Sequence, residues 1–272
     1  MIKRIIPSSG EELPVIGLGT WQTFDVADKS YPVLKNVLTT LHTAGGRLID
    51  SSPMYGKAEK VIGDITSGME IADDFFYATK VWTTGLQQGV AQMESSMQKM
   101  KRKRMDLIQV HNLSDWKTYL PHLRKWKETG KIRYTGITHY KDSSHDELER
   151  IIRSEKPDFV QFNYSITSRN AEKRLLDAAA DAGVATLINR PFGEGALFKK
   201  VKGKSLPVWA PEYDIESWSA FFLKYIIAHP AVTCVIPATA NPEHALDNVK
   251  AGTGRLPDEV AKKKMIEYLN KL

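Results

Sequence analysis

The chain has 272 residues, of which 42% are hydrophobic and 26% are charged. This ordinary globular composition excludes intrinsic disorder for the bulk of the chain. Lysine and arginine number 38 against 32 aspartates and glutamates, which gives a net charge of +6. The excess suits an anionic ligand, but no nucleic-acid motif accompanies it, so we expect no nucleic-acid partner. The single cysteine, Cys234, excludes an internal disulfide and a cysteine-based zinc site.

The sequence also lacks the apolar segments that insert into membranes. No run approaches the roughly 18 apolar residues that a membrane helix needs, so we expect no membrane partner. The N-terminal stretch has a basic tip, but Glu11 and Glu12 interrupt it before an apolar region develops. We therefore predict no signal peptide and a cytoplasmic protein, with earlier removal of an export leader as the alternative.

Short apolar, β-prone runs alternate with longer amphipathic stretches along the chain. The predicted strands are Val15–Gly19, Arg47–Asp50, Phe75–Thr79, Asp106–Val110, Arg133–Ile137, Phe159–Phe162, Ala185–Ile188 and Thr233–Ile236. The predicted helices are Tyr31–Ala44, Lys57–Thr66, Leu86–Met100, Trp116–Glu128, Ser144–Arg153, Asn170–Ala182, Ile215–His229 and Pro242–Val249. Helices between such strands are typical of a parallel sheet. Eight strand–helix units in about 250 residues predict an α/β fold, the (β/α)8 or TIM barrel, as a single domain over residues 1–272.

Two pieces lie outside this repeating pattern. Ile2–Ile6 and Glu12–Ile16 flank a Ser-Ser-Gly turn and predict an N-terminal β-hairpin. Asp258–Leu272 predicts one extra C-terminal helix. A doubly wound dinucleotide-binding domain is disfavoured, because GxG pairs such as Gly17–Gly19 have no third glycine in register.

Polar residues follow three successive predicted strands, at the end where parallel barrels carry their functional side chains. Asp50, Lys80 and His111 occupy these positions, and Tyr55 lies five residues after Asp50. A nearby lysine ammonium lowers the pKa of a tyrosine phenol, and a paired aspartate keeps the lysine charged and in place. The phenol then donates a proton to an oxygen that becomes anionic, while the histidine polarises that oxygen. This set of side chains predicts reduction of a carbonyl group by a hydride from another molecule.

Seven stretches of sequence carry a resemblance to a known family. They are GLGTW (Gly17–Trp21), IDSSPMYGKAE (Ile49–Glu59), ATKVW (Ala78–Trp82), MDLIQVHN (Met105–Asn112), GKIRYTGIT (Gly130–Thr138), VQFNYS (Val160–Ser165) and IPATANPEHALDN (Ile236–Asn248). On these motifs the sequence resembles the aldo-keto reductase family, in a short-loop form of prokaryotic type. The resemblance implies a catalytic tetrad of Asp50, Tyr55, Lys80 and His111, with Tyr55 as the general acid. It also implies NADPH extended across the barrel mouth, and His111, in place of a glutamate, indicates carbonyl reduction.

The resemblance implies a larger set of cofactor contacts. They are Gly19, Thr20, Trp21, Asp50, Thr138, His139, Gln161, Arg190, Pro191, Phe192, Gly193, Ile236, Ala238, Thr239, His244, Asp247 and Asn248. Thr138 stands where the family often has serine, and His139 where it usually has asparagine. Arg190 replaces the aromatic residue that stacks on the nicotinamide ring. A planar guanidinium stacks as well, and pairing with Glu194 is the alternative for Arg190.

The adenosine end departs further from the family. Ala238 and His244 replace a lysine-like donor and an arginine with which many members bind the 2′-phosphate. Since a phosphate prefers charged donors, NADH is the alternative to the NADPH that we expect. Backbone N–H groups at the helix start near Asn241 offer the phosphate other donors.

By the same resemblance, the substrate pocket is aromatic with one polar end. Its candidates are Trp21, Phe24, Tyr55, Trp82, His111, Asn112, Trp116 and Trp209. Such a pocket suits an aldehyde or ketone with a hydrophobic body. For Trp116 and Trp209, packing against the barrel is an equal alternative. The loops over the mouth are shorter than in many family members, so we expect an open site for a small carbonyl substrate.

Two other functions remain open at this point. The first is a cofactor-binding sensor or regulatory barrel with slow turnover, which the departures from the family pattern allow. The second is a metal-dependent hydrolase that uses Asp50 and His111. The chain has no HxH motif or clustered strand-end carboxylates, so we expect no metal. No long exposed apolar helix indicates an obligate partner, so we expect a monomer.

Overall fold

The computed structural model describes residues 1–272, which form a small antiparallel hairpin and a sheet of eight parallel strands. The hairpin consists of β1 (Lys3–Ile5) and β2 (Glu12–Pro14). The parallel strands are β3 (Leu18–Gly19), β4 (Leu48–Asp50), β5 (Phe76–Val81), β6 (Met105–His111), β7 (Ile132–Thr138), β8 (Phe159–Asn163), β9 (Ala185–Asn189) and β10 (Cys234–Val235). Each strand pairs with the next along the chain, and bridges from Ile16 to Val235 and from Gly19 to Ala238 join β3 to the β10 region. The predicted barrel and hairpin are confirmed.

Helices connect the strands on the outside of the barrel. They are α1 (Tyr31–Thr43), α2 (Ala58–Thr66), α3 (Leu86–Lys99), α4 (Trp116–Glu128), α5 (His145–Glu155), α6 (Leu175–Asp181), α7 (Ala196–Lys200), α8 (Trp218–Ile227), α9 (Pro242–Lys250) and α10 (Glu259–Asn270). The extra C-terminal helix, α10, is therefore present as predicted, and the Asp258 carboxylate caps it by accepting from the Ala261 N–H. None of the helices combines the length and the apolarity needed to cross a membrane.

Three helical segments differ from the sequence prediction. The stretch predicted as one helix over 170–182 is a 3₁₀ turn followed by α6, because the backbone of Arg174 between them is not helical. Helix α8 begins three residues late, at Trp218, where the Ser217 hydroxyl accepts from the Ala220 N–H and caps the first turn. The short helix α7 was not predicted, since five residues carry too little periodicity to detect.

The barrel interior is apolar at one end and polar at the other. Its apolar layer combines inward-facing strand residues with two residues of the hairpin region, and it comprises Ile6, Leu13, Leu48, Phe76, Ala78, Leu107, Tyr134, Phe159, Ala185, Leu187, Cys234 and Ile236. Because Ile6 and Leu13 come from the hairpin, the hairpin closes the N-terminal end of the barrel. Polar side chains are left for the C-terminal end of the strands, where the register sets Lys80 beside Gln109 and His111 beside Thr138.

The guanidinium of Arg4 connects the N-terminal hairpin to the end of α8 by hydrogen bonds. Arg4 Nη1 donates to the carbonyl oxygens of His229, Pro230 and Val232 at 2.6–2.7 Å, and Nη2 donates to that of Ile227 at 2.6 Å. These carbonyls belong to the last turn of α8 and the segment that follows it. Arg4 therefore satisfies acceptors that a helix terminus leaves without intrahelical partners.

Replacing this guanidinium tests its contribution to stability. We expect Arg4→Met, which keeps the aliphatic stem, to lower the free energy of unfolding by about 2 kcal/mol, because the carbonyls lose charged donors. The matched control is Lys3→Met on the same strand, where an exposed ion pair with Glu12 is lost and the expected change stays below about 0.5 kcal/mol. Urea unfolding of both variants measures the difference, and equal losses would contradict the assignment.

Candidate active site

A cavity of about 560 Å³ opens at the C-terminal mouth of the barrel. The predicted site residues that line it are Gly19, Thr20, Trp21, Asp50, Tyr55, His111, Asn112, Thr138, Gln161, Arg190, Pro191, Phe192, Ile236 and Ala238. Sequence reasoning did not select the remaining lining residues, which are Gln22, Thr23, Met54, Tyr140, Asn189, Glu194, Gly195 and Phe198. The structure thus brings most of the predicted site residues together in one cavity.

A buried ion pair lies at the floor of this cavity. Lys80 Nζ is 2.6 Å from Asp50 Oδ2, and both side chains are almost completely buried. The ammonium also donates to the Ser51 carbonyl at 2.8 Å. The other carboxylate oxygen, Asp50 Oδ1, accepts from the amides of Gln109 and Gln161 at 3.1 and 3.0 Å. The charges of the pair are therefore matched by hydrogen bonds on both sides.

Tyr55 lies next to this ion pair, and Lys80 Nζ is 5.1 Å from its ring centroid. Burial raises the pKa of the phenol, the Lys80 charge lowers it, and the net result is a pKa above the ordinary value of 10. The expectation that lysine lowers this pKa is therefore only partly met, since burial outweighs the ammonium. Burial also lowers the pKa of Lys80, but Asp50 and Tyr55 raise it by more, so Lys80 stays charged.

His111 faces the phenol from the end of β6. Its ring centroid lies 6.0 Å from that of Tyr55, with the two planes at 87°. The Ser52 hydroxyl lies 3.0 Å from Nδ1 and accepts from the Met54 N–H. Burial, with the nearby Lys80 charge, lowers the pKa of His111 to about 2. His111 is therefore a neutral imidazole at neutral pH.

Two amide oxygens in the cavity wall have no hydrogen-bond partner. They are Asn189 Oδ1 and Asn112 Oδ1, and both are buried. Asn189 Nδ2 donates to Gln161 Oε1 at 3.4 Å, so its free oxygen is an acceptor beside the Asp50 network. Buried acceptors without a partner are uncommon in folded proteins, and a donor from a ligand or an ordered water would satisfy them. Asn189 ends β9, directly before Arg190, and its strand-end position was the signal that sequence reasoning passed over.

Arg190 adopts a left-handed backbone conformation, with φ of 52°, which directs its side chain over the mouth. The guanidinium carbon lies 4.2 Å from the Tyr140 ring centroid and 6.0 Å from that of Trp21. Nη2 is 2.7 Å from Glu194 Oε1. The pairing with Glu194 that the sequence offered as the alternative is present, and the guanidinium also contacts aromatic rings of the protein. Stacking on a nicotinamide ring stays a prediction.

Several predicted substrate-pocket residues lie elsewhere. Phe24 is fully buried in the hydrophobic core, and Trp209 packs against Tyr213, Phe221 and Tyr268, so neither lines the cavity. Trp116 begins α4 and packs against the core. Trp82 is exposed, with its ring centroid 6.4 Å from that of His111, and lies outside the lining set.

The remaining predicted cofactor residues lie outside the cavity wall. His139 Nδ1 accepts from the N–H groups of Tyr140 and Lys141, and the His139 ring stacks on Tyr140. Gly193 lies in the turn before α7. The others lie in α9 or shortly before it. Thr239 accepts from the Asn241 N–H, His244 is exposed, Asp247 accepts from Ser217, and Asn248 accepts from Ser219. Nowhere in the structure do three or more His, Cys, Asp or Glu side chains form a group that would hold a metal ion.

Comparison with known proteins agrees with this geometry. Residues 15–266 match the model of the Aldo/keto reductase family. Methylglyoxal reductase YeaE of Escherichia coli is 24% identical over 257 residues, which cover 91% of this chain and 89% of that protein. An aldo/keto reductase structure from Klebsiella pneumoniae, in complex with NADP and acetate, has a TM-score of 0.83 at 22% identity and covers 99% of this chain and 96% of that one. A second Klebsiella pneumoniae structure, in complex with NADPH, has a TM-score of 0.79 at 22% identity, with coverage of 100% and 95%.

The structural likenesses show the fold, and the family model identifies the chain. A parallel barrel with a buried carboxylate–ammonium pair beneath a tyrosine and a histidine defines the class as barrel oxidoreductases. The chain belongs to the aldo/keto reductase family. The resemblance drawn from the sequence motifs is thereby confirmed.

The neutral state of His111 predicts a pH dependence of stability. Below pH 6.5 the unfolded chain protonates this imidazole and the native protein does not, so stability falls as the pH falls towards the native pKa of about 2. Between pH 6.5 and 5 this effect amounts to about 1.6 kcal/mol. We expect His111→Gln to lose correspondingly less stability over this interval, as measured by urea unfolding at both pH values. An unchanged pH dependence would show that His111 titrates normally.

Proposed function

We propose that the protein reduces aldehydes or ketones to alcohols with NADPH as the hydride donor. The observation that carries the proposal is the buried Asp50–Lys80 pair at 2.6 Å, set beneath Tyr55 and beside a neutral His111. Family membership supports the same reaction class. The proposal takes residues 1–272 as one reductase barrel that works as a cytoplasmic monomer.

The cavity fits the nicotinamide end of such a cofactor. A nicotinamide carboxamide has an NH₂ donor and a carbonyl acceptor, and the orphaned Asn189 Oδ1 accepts from the first. The Thr138 hydroxyl, which also lines the cavity, donates to the second. The Gln161 side-chain amide keeps its hydrogen bond to the Asp50 carboxylate and so helps to hold Asp50 in place at the bottom of the cavity. When bound, the reduced nicotinamide supplies a hydride to the carbonyl carbon of the substrate.

The four tetrad residues divide the remaining work. Tyr55 keeps its proton over the neutral range, because its pKa is above 10, and donates it to the carbonyl oxygen as that oxygen becomes anionic. Lys80 holds the phenol electrostatically and stabilises the phenolate left behind. Asp50 keeps Lys80 charged and in place. With Ser52 donating to Nδ1 and the imidazole proton assigned to Nε2, His111 donates to the same oxygen. Its neutrality means that it polarises the carbonyl without competing as an acid.

The outer walls of the cavity support a carbonyl substrate with an apolar body. Trp21, Met54, Phe192 and Phe198 line it beside the polar floor. An apolar wall with one convergent polar end orients a carbonyl group towards the acid. Asn112 Oδ1, which has no partner in the structure, is an acceptor for a hydroxyl on the substrate. The related Escherichia coli protein is a methylglyoxal reductase, which supports a small carbonyl compound as the substrate class.

The residues expected to bind the adenosine end of the cofactor offer fewer charged donors to the 2′-phosphate than many family members do. Pro242 at the first position of α9 has no N–H, and the Glu243 N–H is bound to the Asn241 side chain at 2.8 Å. The Glu243 carboxylate stands in this first turn and repels a phosphate. NADPH nevertheless remains the proposed cofactor, because solved relatives carry NADP or NADPH. We expect its advantage over NADH to be small.

Removing the phenolic hydroxyl tests the role of Tyr55. We expect Tyr55→Phe to lower kcat for aldehyde reduction by at least about 100-fold, since general acid catalysis contributes that much, with nucleotide affinity unchanged. Tyr140→Phe is the matched control, because Tyr140 lines the same cavity and its ring contact with Arg190 is kept. Steady-state kinetics and fluorescence titration measure both effects. Full activity in Tyr55→Phe would refute the mechanism.

Fluorescence titration with NADPH and NADH tests the cofactor assignment. We expect NADPH to bind more tightly than NADH. We also expect Glu243→Gln to tighten NADPH binding about two- to threefold without changing NADH binding, because only NADPH carries the 2′-phosphate near α9. Glu267→Gln on α10 is the control for a general change of charge. Equal affinities for the two nucleotides in the native protein would transfer the assignment to NADH.

A further inference from the structure

We propose that Arg190 makes the cavity bind the reduced nicotinamide more tightly than the oxidised one, so that the protein releases its oxidised cofactor readily. This inference rests on the proposed function, because it concerns the same cavity. It assigns to Arg190 a role in distinguishing the redox states of the cofactor.

Arg190 is the only ammonium or guanidinium group among the side chains that line the cavity. Lys80 lies beneath the lining and is neutralised by Asp50 at 2.6 Å. His111 carries no charge, because burial and the Lys80 charge hold its pKa far below neutrality. Arg190 is therefore the one lining side chain that adds positive charge to the cavity.

The surrounding contacts fix where this charge lies. The Tyr140 ring is 4.2 Å from the guanidinium carbon, and the Glu194 carboxylate holds Nη2 at 2.7 Å. The Arg190 side chain is 35% exposed and that of Glu194 is 45% exposed. Solvent screens both groups of such a partly exposed ion pair, so Glu194 offsets the guanidinium only in part and the effect of Arg190 on other charges is moderate. The Arg190 charge also reaches Tyr55, whose pKa it lowers.

The chemistry of hydride transfer places the nicotinamide ring within reach of the same charge. The carbonyl carbon accepts a hydride with its two electrons, the oxygen accepts a proton from Tyr55, and the dihydronicotinamide ring loses the hydride. The ring must therefore contact the carbonyl carbon next to Tyr55, inside the cavity that Arg190 lines. The reduced ring is uncharged and the oxidised ring carries a positive charge.

The positive charge of Arg190 in a partly dehydrated cavity repels the positively charged oxidised ring, but it has no such Coulomb repulsion with the uncharged reduced ring. Arg190 therefore weakens binding of the oxidised nucleotide relative to the reduced nucleotide. Since the phosphates and the adenosine are the same in both forms, the ratio of their dissociation constants isolates this effect. Glu194 acts in the opposite direction, because its carboxylate shields the guanidinium.

The test is the ratio of the dissociation constants for NADP⁺ and NADPH, measured by fluorescence or calorimetry without substrate. We expect Arg190→Gln, which removes the charge but keeps a planar polar end, to shift this ratio at least about fivefold in favour of NADP⁺. Arg190→Lys keeps the charge and should keep most of the native ratio. Glu194→Gln leaves Arg190 in place and should shift the ratio the other way, with a smaller effect.

The outcomes separate the inference from the proposed function. If the native protein binds both nucleotides and Arg190→Gln leaves the ratio unchanged, the role of Arg190 is refuted while the reductase assignment stands. If Arg190→Gln weakens the binding of both nucleotides equally, the inference is refuted as well, because that result indicates that Arg190 only packs against the cofactor. If the native protein binds neither nucleotide, the proposed function fails and this inference fails with it. Opposite shifts in Arg190→Gln and Glu194→Gln would establish it. Where one of these variants folds poorly, the shift in the other, compared with Arg190→Lys, decides.

Discussion

The buried ion pair between Asp50 and Lys80 is the interaction on which the site depends. Removing two charges from water costs several kcal/mol for each ion, so the pair persists only where its remaining hydrogen-bonding groups are satisfied. Lys80 donates to the Ser51 carbonyl, and the second carboxylate oxygen accepts from Gln109 and Gln161. These partners come from β6, β8 and the end of β4, so strands far apart in the sequence must pack together before the pair is stable.

Much of this arrangement was predictable from the sequence, because its causes are local. Apolar runs of strand length alternate with helical periods, and that rhythm alone predicts the barrel. Parallel strands bring their C-terminal ends to one mouth, so Asp50, Lys80 and His111 had to converge once the strands were placed. Tyr55 follows Asp50 so closely that it has little freedom to leave the mouth. The tetrad was therefore predictable, although the balance of effects on the Tyr55 pKa was not.

Other parts of the site depend on contacts that no sequence pattern encodes. The pairing of Arg190 with Glu194 and Tyr140 requires a left-handed backbone at Arg190, which non-glycine residues adopt rarely. The free oxygen of Asn189 is visible only after the other amides have been assigned partners. Trp209 packs against aromatic residues, which is the alternative that the sequence left open, because an aromatic side chain in a loop serves packing as readily as binding. Distant contacts, not local propensity, decide such positions.

The charges around the cavity act both on the acid strength of the Tyr55 phenol and on the relative binding of the reduced and oxidised cofactor. Lys80 and Arg190 both lower the pKa of the Tyr55 phenol, against the burial that raises it. A cation close enough to act on the phenol also acts on a positive charge carried by a ligand in the same cavity. Asp50 neutralises Lys80 within the protein, whereas the partner of Arg190 is the exposed Glu194. Arg190 thus lowers the pKa of Tyr55 although no second buried carboxylate neutralises the guanidinium. The same positive charge repels the oxidised cofactor.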